Sequence, residues 1–265
     1  KKQNETGIMN SIDFAISELE AMKKKPDFLF YKGNTDLLYR RKVSIIGSRK
    51  PYQYTQQMTH AIAHELSRVG TCIVSGGAMG VDAIAHRGAG SANTIAVLPC
   101  GIDLHYPAVN KSLLGSIEAE GLTLSQFEAG FAATNWSFVV RNELVVALGE
   151  VLIVTQADEE SGSMRSVEYA LEMGKKIYVL PHHIGESEGT NRLLAEGKAE
   201  AIYDISMFVG RFGKVRSAID VSDPFLRFCA MRPVYEDAVQ KYGEKIFEAE
   251  LNGVIEVQNG RVVLT

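Results

Sequence analysis

The chain has 265 residues, 46% hydrophobic and 23% charged, which suits one large globular domain with a small appendage and excludes a disordered or fibrous chain. A net charge of −4 excludes a bulk basic field, so any nucleic-acid contact must come from a local patch. No stretch reaches the ~20 uninterrupted apolar residues of a membrane helix, and KKQNETGIMNSIDF has no apolar signal core, so no membrane partner and a cytoplasmic location are expected.

Residues 8–22 (IMNSIDFAISELEAM) have the pattern of an amphipathic helix, and residues 1–22 form a lead-in. Alternation starts after it. Val43–Gly47, Thr71–Ser75, Thr94–Leu98, Val151–Thr155 and Lys176–Leu180 are short Val/Ile-rich runs suited to strands buried on both faces. Leu122–Leu124 and Ala201–Asp204 are weaker strand candidates. Helix-period segments lie between them, near 53–69, 80–89, 109–120, 137–148, 163–174 and 190–196. Repeated strand, crossover helix and strand means an α/β fold: an extended Rossmann-like, doubly wound, mostly parallel sheet over residues 23–213. Gly70, Gly121 and Gly174 each follow a helical run, where a left-handed C-cap is expected. Residues 214–222 suggest a linker. Over 223–265, helical patterns at Pro224–Met231, Val234–Gln240 and Gly243–Asn252 precede two strands joined by an Asn259-Gly260 turn, the plan of a winged helix. Cys72, Cys100 and Cys229 are far apart with no CxxC pair, which argues against a disulfide framework or a cysteine zinc site. Asn4, Asn110 and Asn135 head glycosylation acceptors that mean little without an export signal.

In an open α/β sheet, ligands bind beyond the carboxyl ends of the strands. Those ends carry Gly47-Ser48-Arg49, the stretch Ser75-Gly76-Gly77-Ala78-Met79-Gly80, and Ser161-Gly162-Ser163. Glycine lets the backbone approach an anion, and free N–H groups of a first helical turn point at it. Alternatively these glycines only permit tight turns. Arg49, a cation directly after the first strand, favours a phosphate. SGGAMG is not GxGxxG, and GxxxxGK[ST] is absent, so dinucleotide and P-loop readings fail at motif level. Phe138, Arg141 and Asn142 open a helix near the same edge; either Phe138 stacks a base while Arg141 meets a phosphate, or Phe138 is core and Arg141 pairs with an acid.

Other constellations are weaker. His60 and His64 are four apart but lack a third ligand, so no metal is expected. Asp82 and His86 have helix-surface spacing, and His182-His183 has the character of a loop pair. Asp158-Glu159-Glu160 fits a solvated loop better than a magnesium site. No cofactor motif and no Ser-His-Asp order occur.

FYKGNTDLL (30–38), VSIIGSRKP (43–51), IVSGGAMGVDAIAH (73–86), TIAVLPCGIDLHYP (94–107), SFVVRN (137–142), ADEESGSMRSVEYA (157–170) and GTNRLLAEG (189–197), in that order, resemble the DNA-processing protein A (DprA/Smf) family. The resemblance implies a cytosolic homodimer that binds single-stranded DNA and loads RecA recombinase during natural transformation, with no catalysis. It also implies that Gly47, Ser48, Arg49, Ser75, Gly76, Gly77, Ser161, Gly162 and Ser163 line a DNA-backbone pocket, that Phe138 stacks a base, and that Arg141, Asn142, Gly189, Thr190 and Asn191 complete the edge. Gln126, Glu143 and Asn135 depart from the family's usual Glu, Arg and basic residue, leaving fewer cations near the groove. A ribosyl N-glycosidase-like nucleotide-processing enzyme is the alternative, with Glu168 as its candidate acid.

Overall fold

In chain order the elements are β1 (Phe30–Gly33), β2 (Lys42–Ile46), α1 (Gln53–Arg68), β3 (Cys72–Ser75), α2 (Val81–Ala89), β4 (Thr94–Leu98), α3 (Lys111–Glu120), β5 (Leu122–Ser125), α4 (Asn135–Leu148) and β6 (Leu152–Val154). Next come α5 (Gly162–Glu172), β7 (Ile177–Val179), α6 (Glu188–Ala195), β8 (Glu200–Ala201) and α7 (Ile205–Val209). This computed structural model describes residues 10–213, 223–258 and 260–264. The expected linker at 214–222, the start of the lead-in with Asn4, and Asn259 of the hairpin turn lie outside the described residues. Two compact units divide the chain, Lys1–Lys214 and Val215–Thr265.

In the first unit the strand order is β1-β5-β4-β3-β2-β6-β7-β8, and every neighbouring pair is parallel except β1 with β5. The chain winds outward from β2 through β3, β4 and β5, then returns along α4 to lay β6 on the other side of β2. The carboxyl ends of β2 and β6 therefore form the switch point of a doubly wound sheet. The Val/Ile runs are buried on both faces because successive side chains enter opposite layers. Ile73 joins the core with Ile62 and Leu66 of α1, while its neighbour Val74 joins Leu144 and Leu148 of α4.

Two parts depart from expectation. Residues 10–16 form no helix: Ser11 bridges Phe30, and Ile12 N–H donates to the Leu29 carbonyl at 2.8 Å. A single 3₁₀ turn at Ser17–Ala21 follows, and it buries Ile16, Leu19 and Met22. Those residues are three apart, the repeat of a 3₁₀ helix and not of an α-helix. Gly70 and Gly174 adopt the expected left-handed caps at φ 84° and 64°. Gly121 does not, with φ −111°. It is glycine because a Cβ there would lie 2.1 Å from the Ser91 carbonyl oxygen.

The second unit has α8 (Pro224–Ala230), α9 (Tyr235–Tyr242), α10 (Glu244–Leu251) and a hairpin of β9 (Ile255–Gln258) with β10 (Arg261–Leu264). Asp223 accepts the Phe225 N–H at 2.7 Å and Pro224 occupies the first helical turn, so α8 starts where sequence chemistry places it. Phe225, Cys229, Ile246, Ile255 and Val262 form its core.

His86 lies fully buried between α2 and β4. Thr94 Oγ1 donates its single hydrogen to the Ile73 carbonyl, so the Nδ1–H of His86 is the donor in the 2.6 Å contact with Thr94. Nε2 is left without a partner. Burial, with Arg141 and Arg87 adding repulsion, pushes the imidazole from 6.5 down to about 3. The fold thus holds His86 neutral where an unfolded chain would protonate it. Its contribution to stability is complete above pH 6.5 and is lost as pH falls. Urea unfolding between pH 6.5 and 5 is expected to show this loss, approaching about 1.4 kcal/mol per pH unit, and His86→Gln flattens that limb.

Candidate functional site

At the switch point a cavity of about 570 Å³ opens between the exits of β2 and β6 and the start of α4. Of the residues expected to bind a ligand, Gly47, Ser48, Arg49, Phe138, Arg141, Asn142, Ser161, Gly162 and Ser163 line it. A Cβ on Gly47 would lie 2.8 Å from Val81 Cγ2 and 3.0 Å from the Gln156 carbonyl oxygen, so the loop after β2 passes where only glycine fits. Ser48 N–H donates to the Gln156 carbonyl at 2.9 Å, fixing this loop to the exit of β6 and leaving the Arg49 side chain exposed.

The start of α4 is set by a capping box: Thr134 Oγ1 accepts the Ser137 N–H at 3.2 Å, and Ser137 Oγ accepts the Thr134 N–H at 2.9 Å. Phe138 follows at once and stands half-buried in the groove wall. The Arg49 guanidinium lies 5.0 Å from its ring centroid and that of Arg141 5.7 Å, both within cation–π range. Tyr106 meets the ring edge-on at 5.6 Å.

Arg141 is 3% exposed. Its Nη1 donates to the carbonyls of Gly76 and Val97, the latter at 2.8 Å, and its Nε donates to Asn142 Oδ1 at 3.1 Å. The reading in which Arg141 pairs with an acid needs correcting: its Nη1 goes to backbone carbonyls, and no ion pair to an acid forms among the described residues. Buried Asp82 remains within electrostatic reach. Burial holds the Asp82 carboxyl above its ordinary value, opposed by Arg141 and by the Ala78 N–H.

Ser75, Gly76 and Gly77 lie beneath the groove and do not line it. Ser75 Oγ donates to the Ile45 carbonyl at 2.7 Å, Gly76 accepts from Arg141, and the Gly77 carbonyl accepts from Asn110 at 3.0 Å. A Cβ on Gly76 would meet Arg141 Nη1 at 2.1 Å, so this glycine makes room for a buried side chain and not for an anion. Gly189, Thr190 and Asn191 also stay outside the lining. Asn191 Nδ2 donates to the carbonyls of His182, His183 and Glu186, and Thr190 Oγ1 contacts Ser187 Oγ at 2.6 Å, so both brace the loop ahead of α6.

The start of α5 is different. Ser161 makes no capping bond, and its Oγ is buried without a partner beside the groove. This leaves a hydroxyl unbonded beside the groove and the first turn of an eleven-residue helix without a side-chain cap.

Sequence reasoning did not single out Tyr106 and Arg165, which also line the groove. Arg165 sits one turn into α5, within helical reach of Ser161, and that spacing was its only signal. Tyr106 arrives on the long loop after β4, where no periodicity marks it. Among the departures from the family pattern, Asn135 lines the groove, whereas Glu143 faces elsewhere and accepts the Lys23 N–H at 3.2 Å. Glu168 is outside the lining and pairs with Arg165 at 2.7 Å. Of the remaining candidates, His182 Nε2 contacts the Thr155 carbonyl at 2.8 Å, and no metal-ligating cluster occurs among the described residues.

Residues 10–213 match a family profile described as DNA recombination-mediator protein A. The DNA processing protein DprA of Streptococcus pneumoniae is 35% identical over 188 residues, 68% of this chain and 65% of that one. That of Bacillus subtilis is 33% identical over 190 residues, 70% and 64% of the two chains. The chain thus spans somewhat less than two thirds of the length of these two relatives. Among solved structures, DNA processing protein A from Helicobacter pylori, described for its single-stranded DNA binding mode, is 40% identical with TM-score 0.75, covering 77% of this chain and 95% of its own. The Streptococcus pneumoniae structure is 32% identical with TM-score 0.73, covering 78% and 76%.

The two arginines flanking Phe138 are expected to separate in stability measurements. Arg141→Ala orphans two buried carbonyls and leaves Asp82 uncompensated, a loss of about 2–5 kcal/mol in denaturant unfolding. Arg49→Ala, at the surface, shifts stability by no more than about 0.5 kcal/mol.

Proposed function

The chain belongs to the DNA recombination-mediator protein A family, and from that premise we propose that it binds single-stranded DNA in the switch-point groove as a non-catalytic mediator. The observation that carries this reading is Phe138, a half-buried ring fixed by α4 and flanked by two guanidinium groups where the sheet order reverses. A flat ring stacks any unpaired base, because every base has a π-face, whereas paired bases in a duplex are already stacked on each other. Arg49 on one side, and the open first turn of α5 with Ser161, Gly162 and Ser163 on the other, offer positive potential to the phosphates on either side of that base. The Helicobacter pylori relative supports this assignment, since its structure was described for single-stranded DNA binding.

The mediator role follows the family: the protein works in the cytoplasm as a homodimer, protects incoming strands and loads RecA recombinase during natural transformation. Two joined grooves raise avidity for long strands without any new contact within either groove. Turnover is not part of this reading. Glu168, the one carboxylate a nucleotide-hydrolase reading would employ, stands outside the groove in an exposed pair with Arg165.

Fluorescence anisotropy on a labelled oligo-dT, with a matched duplex alongside, tests the assignment. Phe138→Ala is expected to weaken single-strand affinity by about 1–3 kcal/mol, roughly 5- to 150-fold, with an unchanged salt slope. Arg49→Ala is expected to lower the slope of log K against log salt by about 0.7 as well. Equal affinity of the wild-type protein for the duplex, or indifference to both substitutions, refutes the groove as the DNA site.

A further inference from the structure

Several exposed arginines are each matched by a carboxylate. Arg41 pairs with Glu150, Arg68 with Glu65, Arg165 with Glu168, Arg192 with Glu159 and Arg211 with Glu200. Arg49, Lys50 and Arg87 are exposed and enter no ion pair among the described residues. All three line one shallow cavity of about 370 Å³ beside the groove, and no carboxylate lines it with them. Arg49 lines both cavities, so groove and shelf adjoin at its side chain.

The shelf has a rigid floor. Val81 N–H, at the start of α2, donates to the Ser48 carbonyl at 3.1 Å. A Cβ on Gly80 would lie 2.4 Å from that same oxygen and 2.6 Å from the Arg49 carbonyl oxygen, so the exit of β2 and the start of α2 are pressed together. This holds the backbone of Arg49 and Lys50 against α2, whose last turn carries Arg87. In a chain of net charge −4, three unmatched cations around one concavity make a local anion site.

Resting on the groove reading above, we propose that this shelf is a second subsite, taking the sugar-phosphate backbone of the same strand as it leaves the groove past Arg49. No aromatic ring lines the shelf, so it offers bases nothing to stack on. It holds phosphates without regard to sequence and adds affinity only to strands long enough to reach it. A free phosphate or mononucleotide shares the charge but not the continuity with the groove, and strand length separates these ligands.

The test is anisotropy with the full-length protein, comparing a labelled oligo-dT of about 25 nucleotides with one of about six, across a salt series. On the long strand, Lys50→Gln/Arg87→Gln is expected to lower the salt slope by about 1.4, two phosphates at ~0.7 each. The affinity ratio between about 50 and 200 mM salt then narrows roughly sevenfold. On the short strand the slope stays as in wild type, and Lys50→Arg/Arg87→Lys restores the long-strand slope. An unchanged slope on the long strand overturns the shelf while the groove stands, and an equal drop on both strands overturns it as a separate subsite. Wild-type protein that binds neither strand overturns the groove reading and the shelf with it.

Discussion

The groove depends on a buried cation in its wall whose hydrogen bonds run back into the sheet. Arg141 reaches from α4 into the sheet and donates to the carbonyls of Gly76, just past β3, and Val97 in β4. These are the ends of two strands that a doubly wound fold would otherwise leave as separate loops. The same helix carries Phe138, so one guanidinium fixes the aromatic wall relative to the strand exits. Desolvating such a charge costs several kcal/mol, and it is tolerated only where hydrogen bonds and a counter-charge compensate. Here the carbonyls, Asn142 and the nearby Asp82 fill those roles, and Gly76 is glycine because any side chain would occupy the place of the guanidinium.

Against that fixed interior, the outer cation acquires its meaning. Arg49 and Arg141 both stand within cation–π distance of one ring, yet one is exposed and the other buried. The buried one gives the ring its position; the exposed one gives the groove its charge. Polar chemistry at the start of α5 completes the opposite side, where the unpartnered Ser161 hydroxyl is the kind of orphan a folded protein tolerates next to a ligand.

Which parts of this were legible in the sequence follows from the range of the forces involved. Strands β2, β3, β4, β6 and β7 were readable because burial on both faces produces continuous Val/Ile runs, whereas β5 (LTLS), equally buried, carries no such run and gave a weaker signal. The edge strand β1 was not, since its residues are only half-buried or exposed and present no such run. The lead-in was misread because a three-residue apolar repeat resembles a helical one over two turns, and the choice was made by backbone pairing of Ser11 with Phe30. At the site, Gly47, Arg49, Phe138 and the Ser161 loop were placed by strand-end logic and family resemblance and do meet at one groove. The Gly76-Gly77 turn was not separable from them. Its Gly76 answers to Arg141, which comes from α4, after β4 and β5 have intervened, and no local pattern reports that contact, while Gly77 serves a backbone at φ 69°. Asn191 has a similar cause: its work is to brace a loop that follows β7.

These placements change what the missing family cations mean. Glu143 stands outside the groove, so it adds no repulsion there, and Asn135 puts a neutral side chain into its lining. Of the arginines lining the groove, Arg141 is buried and committed to backbone carbonyls and Arg165 is paired to Glu168, so Arg49 is the exposed, unpaired one among them, while Asp82 and Asp158 also line it. Such a site leans on stacking, which salt hardly affects, more than on phosphate neutralisation, which salt weakens steeply. Unpaired charge instead stands further along the surface at Lys50 and Arg87, where on the proposed reading it would meet neighbouring phosphates and not the stacked base. On the proposed reading, this division is how an acidic protein would handle a polyanion: a hydrophobic platform would supply grip that the net charge cannot oppose, and three cations on one rigid floor would supply the local field that the strand meets.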